Sequence, residues 1–171
     1  MKRKIYLILS LALLVIIGCS EPSIINFIAP IEGDLKIGFV NETPYSVSTY
    51  WGVYNPLDPK TNFNIDLVEL GPGENNLDNF STLLTARRLD IAGVDLRKAA
   101  QIAAPAGIDP SKIQDVITFT KTDNTTQGTA PAARIELGND YIGNDYIEIH
   151  FKQVPGTEDQ FKVEIDATPP P

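Results

Sequence analysis

The side chains most used in enzyme chemistry are scarce in this chain, which contains one histidine and one cysteine. His150 shares a face of a predicted strand with Glu148 and Lys152, a pattern typical of a solvated surface imidazole. A Ser-His-Asp triad would need a serine on a sharp turn, and the sequence contains no G-x-S-x-G segment. His150 and Cys19 alone are too few for a zinc site of His and Cys ligands. The sequence therefore predicts no catalytic, cofactor-binding or metal-binding residue.

Carboxylates are the abundant reactive group, with 22 Asp and Glu against 14 Lys and Arg. Two close carboxylates could cleave a glycoside, but in so acidic a chain some pair always looks suitable. A carboxylate-based hydrolase is therefore the least favoured alternative. The basic doublet Arg87-Arg88 is expected to pair with some of these acids.

The internal repeat Gly-Asn-Asp-Tyr-Ile occurs twice, in residues 138–147. Its side chains Asn139, Asp140, Asn144 and Asp145 offer the hard oxygen atoms that calcium accepts. However, the spacing is not that of an EF-hand loop, and Asn, Asp and Gly are also the residues that hairpin turns require. We favour a turn over a calcium site.

Two tyrosines are the best candidates for contact with a ligand. Residues 45–54 alternate, and we expect one set to face the core: Tyr45, Val47, Thr49, Trp51 and Val53. Tyr50 and Tyr54, with Gly52 between them, are then predicted to face solvent. Exposed rings can stack on a sugar or fill the groove of a partner, although tyrosines on a sheet also pair across strands. A glycan or protein partner at Tyr50 and Tyr54 is therefore one expectation.

The elements that would position these side chains are short strands separated by turns. Alternating segments predict strands in residues 35–41, 45–54, 63–70, 116–122, 134–137, 145–153 and 161–167. Residues 77–93 fit either a strand pair or an irregular helix. A short helix is predicted from Asp95 as its cap to Pro105 as its stop, and another turn of helix after Asp109. This order predicts a mainly β protein, an antiparallel β-sandwich of seven to eight strands with one or two short helices, the alternative being a small β-barrel.

The first twenty residues have the three parts of a secretory signal: a basic start, an apolar run from Ile5 to Ile17, and a small residue before Cys19. Thirteen apolar residues reach roughly 20 Å as a helix, short of a hydrocarbon core of about 30 Å. The end of this segment, Ile16-Ile17-Gly18-Cys19, resembles the lipobox of bacterial lipoproteins. The resemblance implies that residues 1–18 are removed, and that Cys19 becomes the first mature residue. It also implies a diacylglyceryl group on the Cys19 thiol and, often, an acyl chain such as palmitate on the new amino terminus.

Removal of the signal would make the chain more acidic, because three of its 14 basic residues lie within residues 1–18. Eleven basic against 22 acidic residues disfavour binding to nucleic acid and to anionic lipid headgroups. Membrane attachment is therefore expected through the acyl chains on Cys19. We expect a lipidated cysteine and tether in residues 19–33, one β-sandwich domain in 34–167 and a proline-rich tail in 168–171.

These features predict a lipid-anchored protein of the cell envelope with a non-enzymatic binding or structural role. A carbohydrate-binding module of a sugar-handling system is the first alternative. In the enterobacterial sorting pattern an Asp after the lipidated cysteine retains a lipoprotein at the inner membrane, and Ser20 therefore favours the outer membrane. In such a compartment the sequons at Asn41, Asn79 and Asn124 are expected to be coincidental.

Overall fold

The computed structural model describes residues 35–80, 88–141 and 146–168. The signal, Cys19 and the tether lie outside this range, so their predicted boundaries remain predictions. Within the described residues, no helix combines the length and the apolar character that crossing a membrane requires.

The described residues form ten strands, one α-helix and one 3₁₀ turn, which confirms the predicted mainly β sandwich. In chain order they are β1 (Leu35–Asn41), β2 (Ser46–Tyr54), β3 (Asn64–Leu70), β4 (Asn75–Phe80), β5 (Arg88–Ile91), α1 (Val94–Ala103), the 3₁₀ turn (Pro110–Lys112), β6 (Val116–Thr120), β7 (Thr126–Pro131), β8 (Ala133–Glu136), β9 (Tyr146–Gln153) and β10 (Phe161–Thr168). The strand count exceeds the expected seven to eight. The ambiguous stretch 77–93 contributes to β4 and β5, and residues 126–131, for which no strand was predicted, form β7.

The strands form two sheets. One sheet has the order β10-β9-β1-β4, and the other has the order β7-β6-β2-β5-β8, with β3 also paired to β2. The long strand β2 is the centre of the second sheet, because its start pairs with β6, its end pairs with β5, and β3 runs along its other edge. The expected antiparallel arrangement holds for these pairings except one, since β1 and β9 are parallel.

The main core lies between the two sheets and is rich in aromatic rings. Phe39 packs 5.4 Å from Trp51, and Phe119 stacks on Phe161 with 4.0 Å between ring centroids. Phe151 contacts both Phe39 and Phe119. The alternation of β2 and β9 correctly predicted which side chains face inward, because every second residue of a strand points to the same face.

Helix α1 lies on the outer face of the β2 sheet and creates a second, smaller core. Leu96, Ala99 and Ala100 are buried there together with Tyr54 and Ile113. Gly52 allows this close packing, since a Cβ atom at that position would lie 2.7 Å from Leu96 Cδ1 and 3.1 Å from the Asn64 carbonyl oxygen. The helix covers part of a sheet face that the sequence analysis assigned to solvent.

The start of α1 differs from the prediction, whereas its end agrees with it. Its N-cap is Gly93, with φ of 100° and no side-chain cap, so the prediction that Asp95 caps the helix is wrong. Asp95 instead binds Arg134, a residue of β8. The stop before Pro105 is correct, and the prediction for Asp109 is confirmed because its carboxylate accepts a hydrogen bond from the Ser111 amide.

The two ends of the sandwich differ. We call the end where β1 begins the basal end; β2 finishes there, and the connection of residues 55–63 lies there. The opposite, apical end carries four connections, residues 42–45, 71–74, 121–125 and 154–160. Two of these are joined by the buried side chain of Asn41, which donates to the carbonyl oxygens of Tyr45 at 2.7 Å and Gly71 at 2.8 Å.

Candidate functional site

Tyr54 does not occupy the position that the sequence analysis gave it. Its residue is 2 % exposed and packs under α1, so the expected exposed ring is wrong. Its hydroxyl donates a hydrogen bond of 2.5 Å to Asp90 Oδ2. Burial, and next the hydrogen bond to Asp90, raise the pKa of the Tyr54 phenol. Tyr54 is therefore part of the folded interior and offers no surface to a ligand.

Tyr50 lies beside a shallow groove of about 60 Å³ on the outer face of the β2 sheet. Its ring is half-buried and packs against the small core under α1. The groove combines apolar and polar side chains: Ser48, Thr49, Leu67, Lys112, Gln114 and Val116. Leu67 is 40 % exposed and Val116 is 39 % exposed, so the surface around the ring is partly apolar. This groove is what remains of the predicted two-tyrosine surface.

A polar chain connects Tyr54 to the surface through Asp90 and Arg134. The buried Asp90 carboxylate accepts from Arg134 Nε at 2.7 Å as well as from Tyr54. Arg134 Nη2 also donates to Asp95 Oδ2 at 2.6 Å. The hydrogen bond to Asp90 is the main cause that raises the pKa of Arg134. The guanidinium thus holds two carboxylates from different elements, one buried and one at the start of α1.

A hollow of about 320 Å³ lies beside this ion pair. Its walls are mostly small residues, including Ala92, Gly93 and Ala132, with Arg134 and Asp95 at the side. Ala92 and Gly93 both have positive φ, of 58° and 100°, where β5 turns into α1. The charged side chains that line the hollow, Asp90, Asp95 and Arg134, bind one another.

His150 lies within a charged cluster on the outer face of the four-stranded sheet and is largely covered, in contrast to the solvated imidazole that the sequence predicted. Its side chain is 15 % exposed, and Nδ1 is 2.7 Å from Glu42 Oε1. Glu148 and Asp166 lie 3.4 Å and 3.8 Å from Nε2. In the part of the chain that the structure describes, no group of three or more His, Cys, Asp or Glu side chains is arranged to hold a metal ion.

Two lysines complete the same face. Lys152 donates to Glu164 Oε2 at 2.6 Å, and Lys162 donates to the other oxygen of that carboxylate. These two hydrogen bonds lower the pKa of Glu164 to about 2. The face is an ion-pair network in which opposite charges meet diagonally across β9 and β10.

The remaining sequence predictions fall on turns and ion pairs. The first copy of the repeat forms a turn after β8: Gly138 has φ of 87°, and Asp140 Oδ2 accepts from the Glu136 amide at 2.7 Å. The second copy, with Asn144 and Asp145, lies mostly outside the described residues, so the choice between turn and calcium site there stays a prediction. Arg88 pairs with Glu136 at 2.9 Å, as expected, while Arg87 is outside the described range.

Sequence reasoning missed the Asp90–Arg134 pair. Asp90 is an acid between two buried apolar residues, Leu89 and Ile91, and on the strand face shared with Tyr54. The sequence analysis left this segment open between a strand pair and an irregular helix, so it gave Asp90 no face. The short helix was predicted, but not that it packs over this face, where it begins three residues after the end of β5.

Comparisons with known proteins do not assign the chain to a family. No family model matches it, and no curated protein does either. Among solved structures it is similar to the T6SS lipoprotein TssJ1 from Pseudomonas aeruginosa, with a TM-score of 0.44, 10 % identity, and 82 % of this chain and 99 % of that chain covered. It is also similar to a protein from Eubacterium rectale, with a TM-score of 0.36, 14 % identity, and 80 % and 91 % covered. Likenesses this distant carry no argument about function.

Proposed function

We propose that the protein is a lipid-anchored envelope protein with a non-enzymatic binding or structural role. The observation that carries this proposal is the four-part pattern of residues 1–19: basic start, short apolar run, small residue and cysteine. Residues 20–34 place a segment of 15 residues between Cys19 and β1. An extended segment of that length spans at most about 50 Å, which keeps the sandwich close to the membrane. Ser20 favours the outer membrane.

The arrangement of the charged groups supports a role without catalysis. Asp90, Asp95 and Arg134 bind one another, and so do Arg88 and Glu136. A general acid or base needs access to a substrate proton, whereas these groups are held by their partners within the fold. Among the described residues, the apical connections and the Tyr50 groove are two surfaces that stay open to contact.

The anchor gives the first testable prediction. The mature protein from intact cells is expected to begin at Cys19 and to exceed the mass of its polypeptide by that of at least two acyl chains, the number that stable anchoring needs. Cys19→Ala is expected to lack this added mass, while the neighbouring Ser20→Ala keeps it. Mass spectrometry of both variants checks this, and a wild-type chain without added mass would remove the proposal.

Glycan recognition at the Tyr50 groove is the second candidate function. It is favoured by a half-exposed ring next to Ser48, Lys112 and Gln114, whose polar atoms could bind sugar hydroxyls. Tyr50→Ala is expected to weaken glycan binding about tenfold through loss of ring contact, while Tyr50→Phe keeps most of it. A glycan array read with all three proteins checks this. Equal binding by Tyr50→Ala and wild type would exclude the groove.

A further inference from the structure

Leu57 is the most exposed large apolar side chain in the described residues, at 85 %. The next is Ile102 of α1, at 51 %. Leu57 lies in the connection of residues 55–63, between Pro56 and Pro59 and close to the exposed Lys60. An isolated exposed leucine is common on proteins, so its meaning depends on how it is held and which way that end of the domain faces.

The connection that carries Leu57 is held by its own hydrogen bonds. The Leu57 amide donates to Asn55 Oδ1 at 3.0 Å, and the Asp58 amide donates to the Asn55 carbonyl oxygen at 3.2 Å. Thr61 then binds Asp58 twice, through its amide at 3.1 Å and its hydroxyl at 2.7 Å. The leucine is therefore presented outward from a compact turn.

This turn lies at the basal end, where the chain enters the sandwich. Strand β1 starts at Leu35 and runs to the apical end, and the four residues 42–45 lead directly into β2. β2 then runs back along the length of the sandwich and finishes at Tyr54, one residue before the connection starts. The Leu57 turn therefore lies at the same end of the sandwich as the start of β1, where a tether would join the domain.

The connection that carries Leu57 is less acidic than the apical connections. The four apical connections carry five carboxylates and one lysine: Glu42, Glu74, Asp123, Glu158, Asp159 and Lys121. The basal connection of residues 55–63 carries one of each, Asp58 and Lys60. The turn after β8 also lies at the basal end and carries Asp140, whose carboxylate accepts a hydrogen bond from the Glu136 amide. Membrane surfaces with anionic headgroups repel acidic segments and attract lysine. Of these connections, the basal one is the better suited to lie against a lipid surface.

We propose that Leu57 inserts into the surface of the membrane to which the chain is anchored, and that this contact turns the apical connections away from the lipid. The inference rests on the proposed lipid anchor. One leucine would not hold a free domain on a bilayer, but the tether makes the contact intramolecular and so raises the effective concentration of the surface. The occupant is the lipid surface itself, with Pro56 and Pro59 beside the leucine and Lys60 at the level of the headgroups.

The test uses the full lipidated protein in phosphatidylcholine vesicles with and without bromine on the acyl chains, which quenches nearby indole fluorescence. The native Trp51 is the only tryptophan and is 1 % exposed, so it supplies a constant baseline. In Leu57→Trp the added emission is expected to fall about twofold in brominated vesicles, because interfacial side chains lie about 5–10 Å into the headgroup and acyl boundary. Ile102→Trp, an equally apolar change on α1, is expected to show no quenching.

A second measurement avoids adding a tryptophan. Amide hydrogen exchange of residues 55–63 in the wild type is expected to slow on vesicles, and Leu57→Asp is expected to remove that slowing. Flotation of the vesicles distinguishes a failure of the Leu57 contact from a failure of the lipid anchor. Protein that floats, with equal quenching at both positions or no slowing of exchange, overturns the contact but keeps the anchor. Protein that does not float overturns both.

Discussion

Replacing Asp90 with alanine is expected to lower the free energy of unfolding by about 1–3 kcal/mol, the range for leaving a buried polar group without its hydrogen-bond partner. The side chain of Asp90 is 3 % exposed, and its carboxylate satisfies both the Tyr54 hydroxyl and Arg134. Without it, the phenol loses its acceptor inside the small core under α1. The loss should therefore exceed that of a surface charge.

Asp95 provides the matched control, because it binds the same guanidinium from a position that is 46 % exposed. Asp95→Ala is expected to cost about 0–1 kcal/mol, as exposed ion pairs do. Urea unfolding of the three proteins at pH 7, with equal m-values, checks the difference. Equal losses for both variants would show that the burial of Asp90 contributes nothing to stability.

Gly128→Ala is the second substitution expected to have a large effect, a loss of about 1–3 kcal/mol or more from overpacking. A Cβ atom on Gly128 would lie 2.1 Å from the Asp159 carbonyl oxygen and 2.7 Å from Phe161 Cε2. The first of these is backbone and cannot rotate away. Strand β7 would therefore have to separate from the start of β10, where Thr129 and Gln160 form the bridge between the two sheets.

The neighbouring Thr129→Ala serves as the control, since its side chain is exposed and its backbone keeps the same bridge. It is expected to change stability by about 0.5 kcal/mol or less. Thermal unfolding followed by circular dichroism and by the emission of the buried Trp51 checks both variants. A Gly128→Ala protein as stable as Thr129→Ala would mean that β7 and β10 do not pack this closely.

The inward faces of the sandwich could be predicted from the sequence because a strand has a period of two. In β9, Ile147, Ile149 and Phe151 alternate with polar residues, and all three are fully buried. The same rule failed for Tyr54, because alternation assigns residues to two faces of a strand but does not predict whether another element covers the outer face. In β2 that face is exposed at Ser48 and buried at Tyr54, where α1 packs over it.

The interactions that could not be predicted join residues far apart in the sequence. Asp95 has the position and residue type of a helix cap, but Arg134, 39 residues later, binds its carboxylate. His150 and Glu42 are 108 residues apart and meet because β1 pairs with β9. Local patterns carry no information on such partners. Of the predicted ligand surface, Tyr50 stays half-exposed, although its ring packs against the small core under α1.

The parallel pairing of β1 with β9 also limits the order in which the strands of the four-stranded sheet can pair during folding. β1 is the first strand of the described sandwich, yet it lies between β4 and β9, and β9 begins at Tyr146. Ile37 pairs with Ile147, so closing this sheet joins residues separated by most of the chain, which makes folding slow. A chain interrupted before Tyr146 would lack both β9 and β10, half of the four-stranded sheet. The first strand of the sandwich can therefore pair with β4 early in synthesis, but its other edge must wait for the last hairpin.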